Sequence, residues 1–140
     1  MKKYRINTTY YYSNNMRNRD KKKDCLGYIS ITNSQPKWYN GEILKIASPS
    51  MDLIRLLSKN KISINEFKKQ YFEKLNKIDI FDILHNIDGK TIVGYEKPGK
   101  HCKCHRFLLI EYLKNLGYNV ESRELWKKIY QMDAMGVIIT

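Results

Sequence analysis

Glu96, Cys104, His105 and Arg106 are the side chains of this sequence best suited to chemistry. They flank a Lys97-Pro98-Gly99-Lys100 turn, between an apolar run, Thr91 to Tyr95, and an amphipathic one, Phe107 to Leu113. That order predicts a buried strand, a turn, and a helix opening at Cys104, His105 and Arg106. The first N–H groups of a helix have no intrahelical partner and carry the positive end of its dipole. Such an end binds anions. A thiol placed there ionises more readily, and a guanidinium grips phosphate or carboxylate with two parallel hydrogen bonds.

Three roles fit the triplet. In the first, Arg106 and the helix N–H groups hold a phosphate while His105 donates to it. In the second, Cys104 is a nucleophile. Adjacent helical residues point about 100° apart, so His105 is a poor base for Cys104, and His101 or a residue from another loop must serve. In the third, Cys104 is a small buried side chain, His105 a cap, and Arg106 the partner of a carboxylate such as Glu96. A zinc site built from His101, Cys102, Cys104 and His105 is disfavoured. Four ligands within five residues rarely wrap one tetrahedral ion, and Cys25 or His85 would have to join them. No metal and no cofactor is expected.

The elements that must position these groups follow from local pattern. Tyr4 to Tyr12 suits a strand, and alternation puts Tyr10 and Tyr12 on one face and Tyr11 on the other. Residues 1–24 read as that strand followed by a basic loop, Ser13 to Asp24. Leu26 to Thr32 is a second strand, and Asn33 to Gly41 a loop punctuated by Pro36 and Gly41. Ser48 with Pro49 starts a helix through Leu53 to Leu57. Ser63 and Glu66 form a capping box before a helix through Phe67, Tyr71 and Leu75. Asp79 caps a short helix that ends at Asn86-Ile87-Asp88-Gly89. Residues 91–121 are read as a βαβ unit, parallel and right-handed, its helix running from about His105 to Leu116 and stopped by Gly117. Ser122 is read as the cap of a last helix through Trp126 and Tyr130, and the tail from Met135 to Thr140 as an edge strand.

The chain has 140 residues, which fits a single domain, 1–140. Its formal charge is +12, from 26 Lys and Arg against 14 Asp and Glu. Residues 1–23 alone hold Lys2, Lys3, Arg5, Arg17, Arg19, Lys21, Lys22 and Lys23 against Asp20. A basic surface attracts nucleic acid, nucleotides and other polyanions. The plain alternative is composition: twenty Lys against six Arg, with many Asn and Ile, is what an AT-rich genome imposes on any surface. Cys25, Cys102 and Cys104 make no secreted disulfide framework, so reduced thiols in a cytoplasm are expected. Residues 1–23 lack the apolar stretch of a secretory signal, and no run reaches the length of a membrane span. Pro36-Lys37-Trp38-Tyr39 offers aromatic surface for a pocket edge, and Tyr10 to Tyr12 could stack bases.

Together these blocks resemble the domain-of-unknown-function 488 family (DUF488) over roughly residues 5–121. The resemblance rests on Ile6-Asn7-Thr8-Thr9-Tyr10-Tyr11, Ile29-Ser30-Ile31, Pro36 to Gly41, Ala47-Ser48-Pro49, Lys61-Ile62-Ser63, and Tyr95-Glu96-Lys97-Pro98 with Cys104-His105-Arg106. It implies a small α/β, Rossmann-like domain, a mostly parallel sheet flanked by helices, with Glu96 and the Cys-His-Arg triplet converging on one pocket. This chain departs from the family at Gly94, where members often carry Cys, and at Thr32 and Asn33, where they often carry Arg. The family has no agreed activity. The expectation is an anion-accepting pocket centred on Glu96, Cys104, His105 and Arg106, walled by Asn7, Thr8 and Trp38. It would bind, and in the catalytic reading also process, a nucleotide or another phosphate-bearing small molecule derived from nucleic acid. The alternatives are a non-catalytic DNA- or RNA-binding module and a small interaction or inhibitor protein of a mobile element.

Overall fold

Alternation along the first strand divides the whole molecule. In β1 (Lys3–Tyr10), Ile6 and Thr8 point to one face of the sheet, and Asn7 and Thr9 to the other. The computed structural model describes residues 2–11, 27–95 and 105–124. It shows a small α/β, Rossmann-like domain built on a five-stranded parallel sheet. Its other strands are β2 (Tyr28–Ser30), β3 (Glu42–Ile43), β4 (Thr91–Gly94) and β5 (Asn119–Glu124), in the order β3-β2-β4-β1-β5. Asn7 pairs with Thr91 on one side of β1, and Lys3 with Asn119 on the other.

Parallel strands need long connections, and those from β3 to β4 and from β4 to β5 carry the helices. A 3₁₀ turn over Lys45–Ala47 leads to α1 (Met51–Ser58), α2 (Ile64–Leu75) and α3 (Ile80–Ile87), and α4 (His105–Asn115) joins β4 to β5. These four helices bury their apolar stripes in one cluster with Ile6, Ile29, Ile31, Ile92 and Val120. By alternation and register Ile6, Ile29, Ile92 and Val120 share a face, which Ile31 continues just beyond β2, so the main core lies between that face and the helices. The opposite face carries a smaller cluster of Tyr11, Tyr28 and Val93, against which Trp38 and Tyr39 pack.

The helix ends show local chemistry at work. Ser63 Oγ accepts from the Glu66 N–H at 3.1 Å. The expected box is only half made, because the Glu66 carboxylate accepts from Gln70 Nε2 at 2.8 Å instead. Ser63→Ala is expected to cost about 1 kcal/mol, as for other lost N-caps, measurable by urea denaturation; an unchanged midpoint would show that the cap bond contributes nothing. Asp79 caps α3 through the Phe81 N–H. Gly117, at φ 96°, closes α4. Its N–H bonds Lys114 O and the next N–H, of Tyr118, reaches back to Leu113 O, the paired bonds of a Schellman motif.

Two boundaries differ from those expected. Ser50, not Ser48, caps α1, accepting from the Leu53 N–H, while Ser48 ends the 3₁₀ turn. Ser122 lies inside β5, paired with Ile6, and does not cap a helix. The helix and edge strand expected beyond residue 124, and the basic loop of residues 13–24, lie outside the described residues.

Candidate functional site

All five strands run the same way, so their carboxyl ends share one edge. β2 and β4 are neighbours there, yet the chain leaves β2 towards β3 on one side and leaves β4 towards β5 on the other. Open α/β sheets bind ligands at such a divergence, outside the carboxyl ends of the strands. Four groups gather at this edge: Tyr11 after β1, Ile31 and Thr32 after β2, Tyr95 after β4, and the opening of α4.

His105 begins α4 and is buried. Its Nε2 lies 2.7 Å from the Ile31 carbonyl oxygen. A carbonyl only accepts, so Nε2 donates and holds the ring proton. In the neutral ring Nδ1 is then the atom able to accept one. The ring meets Tyr71 edge-on at 6.1 Å. Tyr71 in turn donates to Ala47 O at 2.6 Å, and Lys74 donates to Ser48 O. Burial lowers the Lys74 ammonium below its ordinary pKa. Asn33 Nδ2 donates to Pro49 O at 2.6 Å. The Ala47-Ser48-Pro49 segment is therefore pinned from α2 and from the loop after β2. Arg106 is wholly enclosed, with its guanidinium 4.9 Å from the Phe107 ring centroid. An enclosed guanidinium is costly to desolvate and has to be compensated by its surroundings.

On the opposite face, Tyr11 reaches across the end of β4 to β2. Its hydroxyl lies 2.6 Å from Ser30 Oγ and 2.8 Å from Thr32 Oγ1, and the latter two are 2.9 Å apart. The proton directions follow by elimination. Thr32 spends its proton on Ser34 O at 2.7 Å. Ser30 Oγ already accepts from the Thr32 N–H and from Gln35 Nε2, which fills its two lone pairs. Tyr11 therefore donates to Thr32, and Ser30 donates to Tyr11. Around this triangle stand Tyr95, Tyr39 and Trp38, with ring centroids 4.6, 5.5 and 6.1 Å from that of Tyr11. Trp38 and Tyr39 are half-buried, and Tyr95 is exposed.

The expected site residues divide accordingly. His105 and Arg106 open α4 at the carboxyl edge, and Trp38 stands in the aromatic cluster at the same edge. Asn7 and Thr8 point to opposite faces of β1, so they do not wall one pocket; Thr8 faces α4. Glu96 and Cys104 lie outside the described residues, as do Cys25, His101 and Cys102. Among the described residues no three His, Cys, Asp or Glu side chains converge in a way that could hold a metal ion. No helix among them is long and apolar enough to cross a membrane. Sequence reasoning missed the Tyr11-Ser30-Thr32 triangle. Its one local trace is Ser30-x-Thr32, two hydroxyls on the same strand face.

The fold and this edge define a parallel-sheet α/β protein with its polar and aromatic groups gathered at the carboxyl ends of the strands. No protein-family model matches the chain, and neither the curated proteins nor the solved structures searched contain a match.

Proposed function

We propose that this carboxyl edge binds a phosphate-bearing small molecule of nucleotide type. The observation that carries this reading is the His105–Ile31 bond, which fixes the opening of α4 against the end of β2. The aromatic cluster of Tyr11, Trp38, Tyr39 and Tyr95 stands at the same strand ends from the other face. A helix opening suits a phosphate, and aromatic side chains suit a base. A ligand with both parts spans the edge. The DUF488 resemblance points to the same strand-end Glu96 and Cys104-His105-Arg106 block, and a chain of +12 charge favours anionic ligands generally. Reduced cysteines suit a cytoplasmic setting. If the ligand is also processed, Cys104 is the nucleophile and Glu96 an acid or base; His105 positions the opening of α4 through Ile31 O, and the base for Cys104 comes from His101 or another loop.

Titration of the full chain with AMP, with adenosine and with inorganic phosphate tests the reading by calorimetry. AMP is expected to bind more tightly than either half. Trp38→Ala is expected to weaken AMP about tenfold, from lost stacking, and Arg106→Lys to weaken it by a similar factor indirectly, because a point charge cannot replace the enclosed planar guanidinium that supports the opening of α4. AMP affinity unchanged in both variants would sink the proposal.

A further inference from the structure

A second feature lies beside the carboxyl-edge site, one turn and more along α4. The side of α4 towards β1 and β5 presents Phe107, Ile110, Glu111, Lys114 and Asn115, spaced 3, 4, 7 and 8 residues from the first, as one helix face. Together with Thr8 of β1 and Ser122 of β5 they line a cavity of about 340 Å³, near the lower end of the roughly 300–1,000 Å³ of small-molecule sites. Thr8 is only 1% exposed, and its Oγ1 has no hydrogen-bond partner among the described residues. A buried hydroxyl left without a partner is destabilising, and native proteins rarely keep one. Valine would fill the same volume without that cost. No described residue partners this hydroxyl, and as a lining residue of the cavity Thr8 can offer it to a bound molecule.

We propose that this cavity is a binding site for a small hydroxylated carboxylate with a flat apolar body. Thr8 forms its floor and offers one hydrogen bond to a ligand hydroxyl. Phe107 and Ile110 supply the apolar wall. Lys114 and Asn115 are exposed at the mouth, and Lys114 makes no ion pair among the described residues. Glu111 also lines the cavity, but its carboxylate is paired with Lys68, so among the described lining residues the ammonium of Lys114 is the charge left to select an anion. Phe107 is shared: the Arg106 guanidinium rests on its ring while the side chain also lines the cavity.

The test uses the full chain, ¹⁵N-labelled, with three probes. 4-Hydroxybenzoate carries both the hydroxyl and the anion, benzoate lacks the hydroxyl, and 4-hydroxybenzyl alcohol lacks the anion. 4-Hydroxybenzoate is expected to shift the amides of Thr8, Phe107, Lys114 and Ser122, and to bind about tenfold more tightly than either analogue, the worth of one hydrogen bond or one semi-buried charge contact. Thr8→Val should erase the preference over benzoate while raising the thermal midpoint of the unliganded protein by about 2–5 °C, because an unsatisfied buried hydroxyl is gone. Lys114→Gln should erase the preference over the alcohol. Thr8→Ser keeps the hydroxyl and should keep the preference, so a Thr8→Val protein that fails to fold leaves the test intact. Three results overturn the proposal: no shift at those amides, as when water alone fills the cavity; equal binding of all three probes; or a Thr8→Ser protein without the preference.

Discussion

Tyr11→Ala is expected to remove about 3–5 kcal/mol of folding stability, the usual cost of deleting a buried aromatic side chain, and Tyr11→Phe about 1–3 kcal/mol. The two numbers separate two functions of one residue. The ring is fully buried and touches Trp38, Tyr39 and Tyr95; phenylalanine keeps those contacts. The hydroxyl accepts from Ser30 and donates to Thr32, and phenylalanine removes both bonds from a buried site. A cavity is avoided, but two hydrogen bonds are lost, and Ser30 keeps only Thr32 Oγ1, 2.9 Å away, as an acceptor for its proton. Ser30→Ala in the Tyr11→Phe background should not recover the loss, because Ser30 Oγ also accepts from the Thr32 N–H and Gln35 Nε2, which would lose that acceptor. Urea denaturation of the four proteins measures the coupling. A neutral Tyr11→Phe would show that the proton directions assigned to the triangle are wrong.

The second large effect concerns the basic segment. Affinity of the full chain for a duplex oligonucleotide is expected to fall steeply with salt, because each phosphate neutralised by Lys or Arg releases a condensed counterion. Replacing Lys21, Lys22 and Lys23 with Ala should flatten the plot of log affinity against log salt by up to about 0.9 per lost contact, so by nearly three in all. The same triple variant should leave AMP binding nearly unchanged, because exposed charges more than about 8–10 Å away are screened at physiological salt. A loss of AMP binding instead would place those lysines at the carboxyl edge. Oligonucleotide binding absent even at low salt would return the +12 charge to composition.

Features written by neighbouring residues were legible in the sequence. Ser63 and Asp79 cap the helices that they were expected to cap, and Gly117 ends α4, because caps and Schellman turns are settled within six residues. The parallel βαβ unit of residues 91–121 followed from strand, helix and strand in turn, whereas the mostly parallel sheet as a whole was what the family resemblance implied. Boundaries decided by distant partners were not legible. Ser122 is a sound helix cap by local chemistry, but β1 holds it in register with Ile6 and extends β5 to Glu124. β3 is two residues long, too short to leave a periodic trace. Ser48 and Ser50 are both plausible caps; the 3₁₀ turn ending at Ser48 decides between them. At the site, the opening of α4 could be read from Cys104-His105-Arg106, whereas the hydroxyl triangle could not. Tyr11 and Ser30 come from strands separated by β4, and only the strand order brings them together. Asn7 and Thr8 were paired as walls by proximity in sequence, which the two-residue period of a strand forbids.

The strand order also governs when the sheet can form. β1 is made first, yet both its neighbours, β4 and β5, are made last. Lys3 to Tyr10 must wait, unpaired on both edges, until residues 91–124 have left the ribosome. Meanwhile α1, α2 and α3 can pack locally. Contacts between the ends of a chain form slowly, because loop closure is paid in entropy before pairing rewards it. During that interval a segment rich in Thr, Tyr and Ile presents two bare strand edges, the kind of surface on which chains aggregate. Arg5, Lys2 and Lys3 sit at its start, and their charge is a means of keeping nascent copies apart until the last strand arrives.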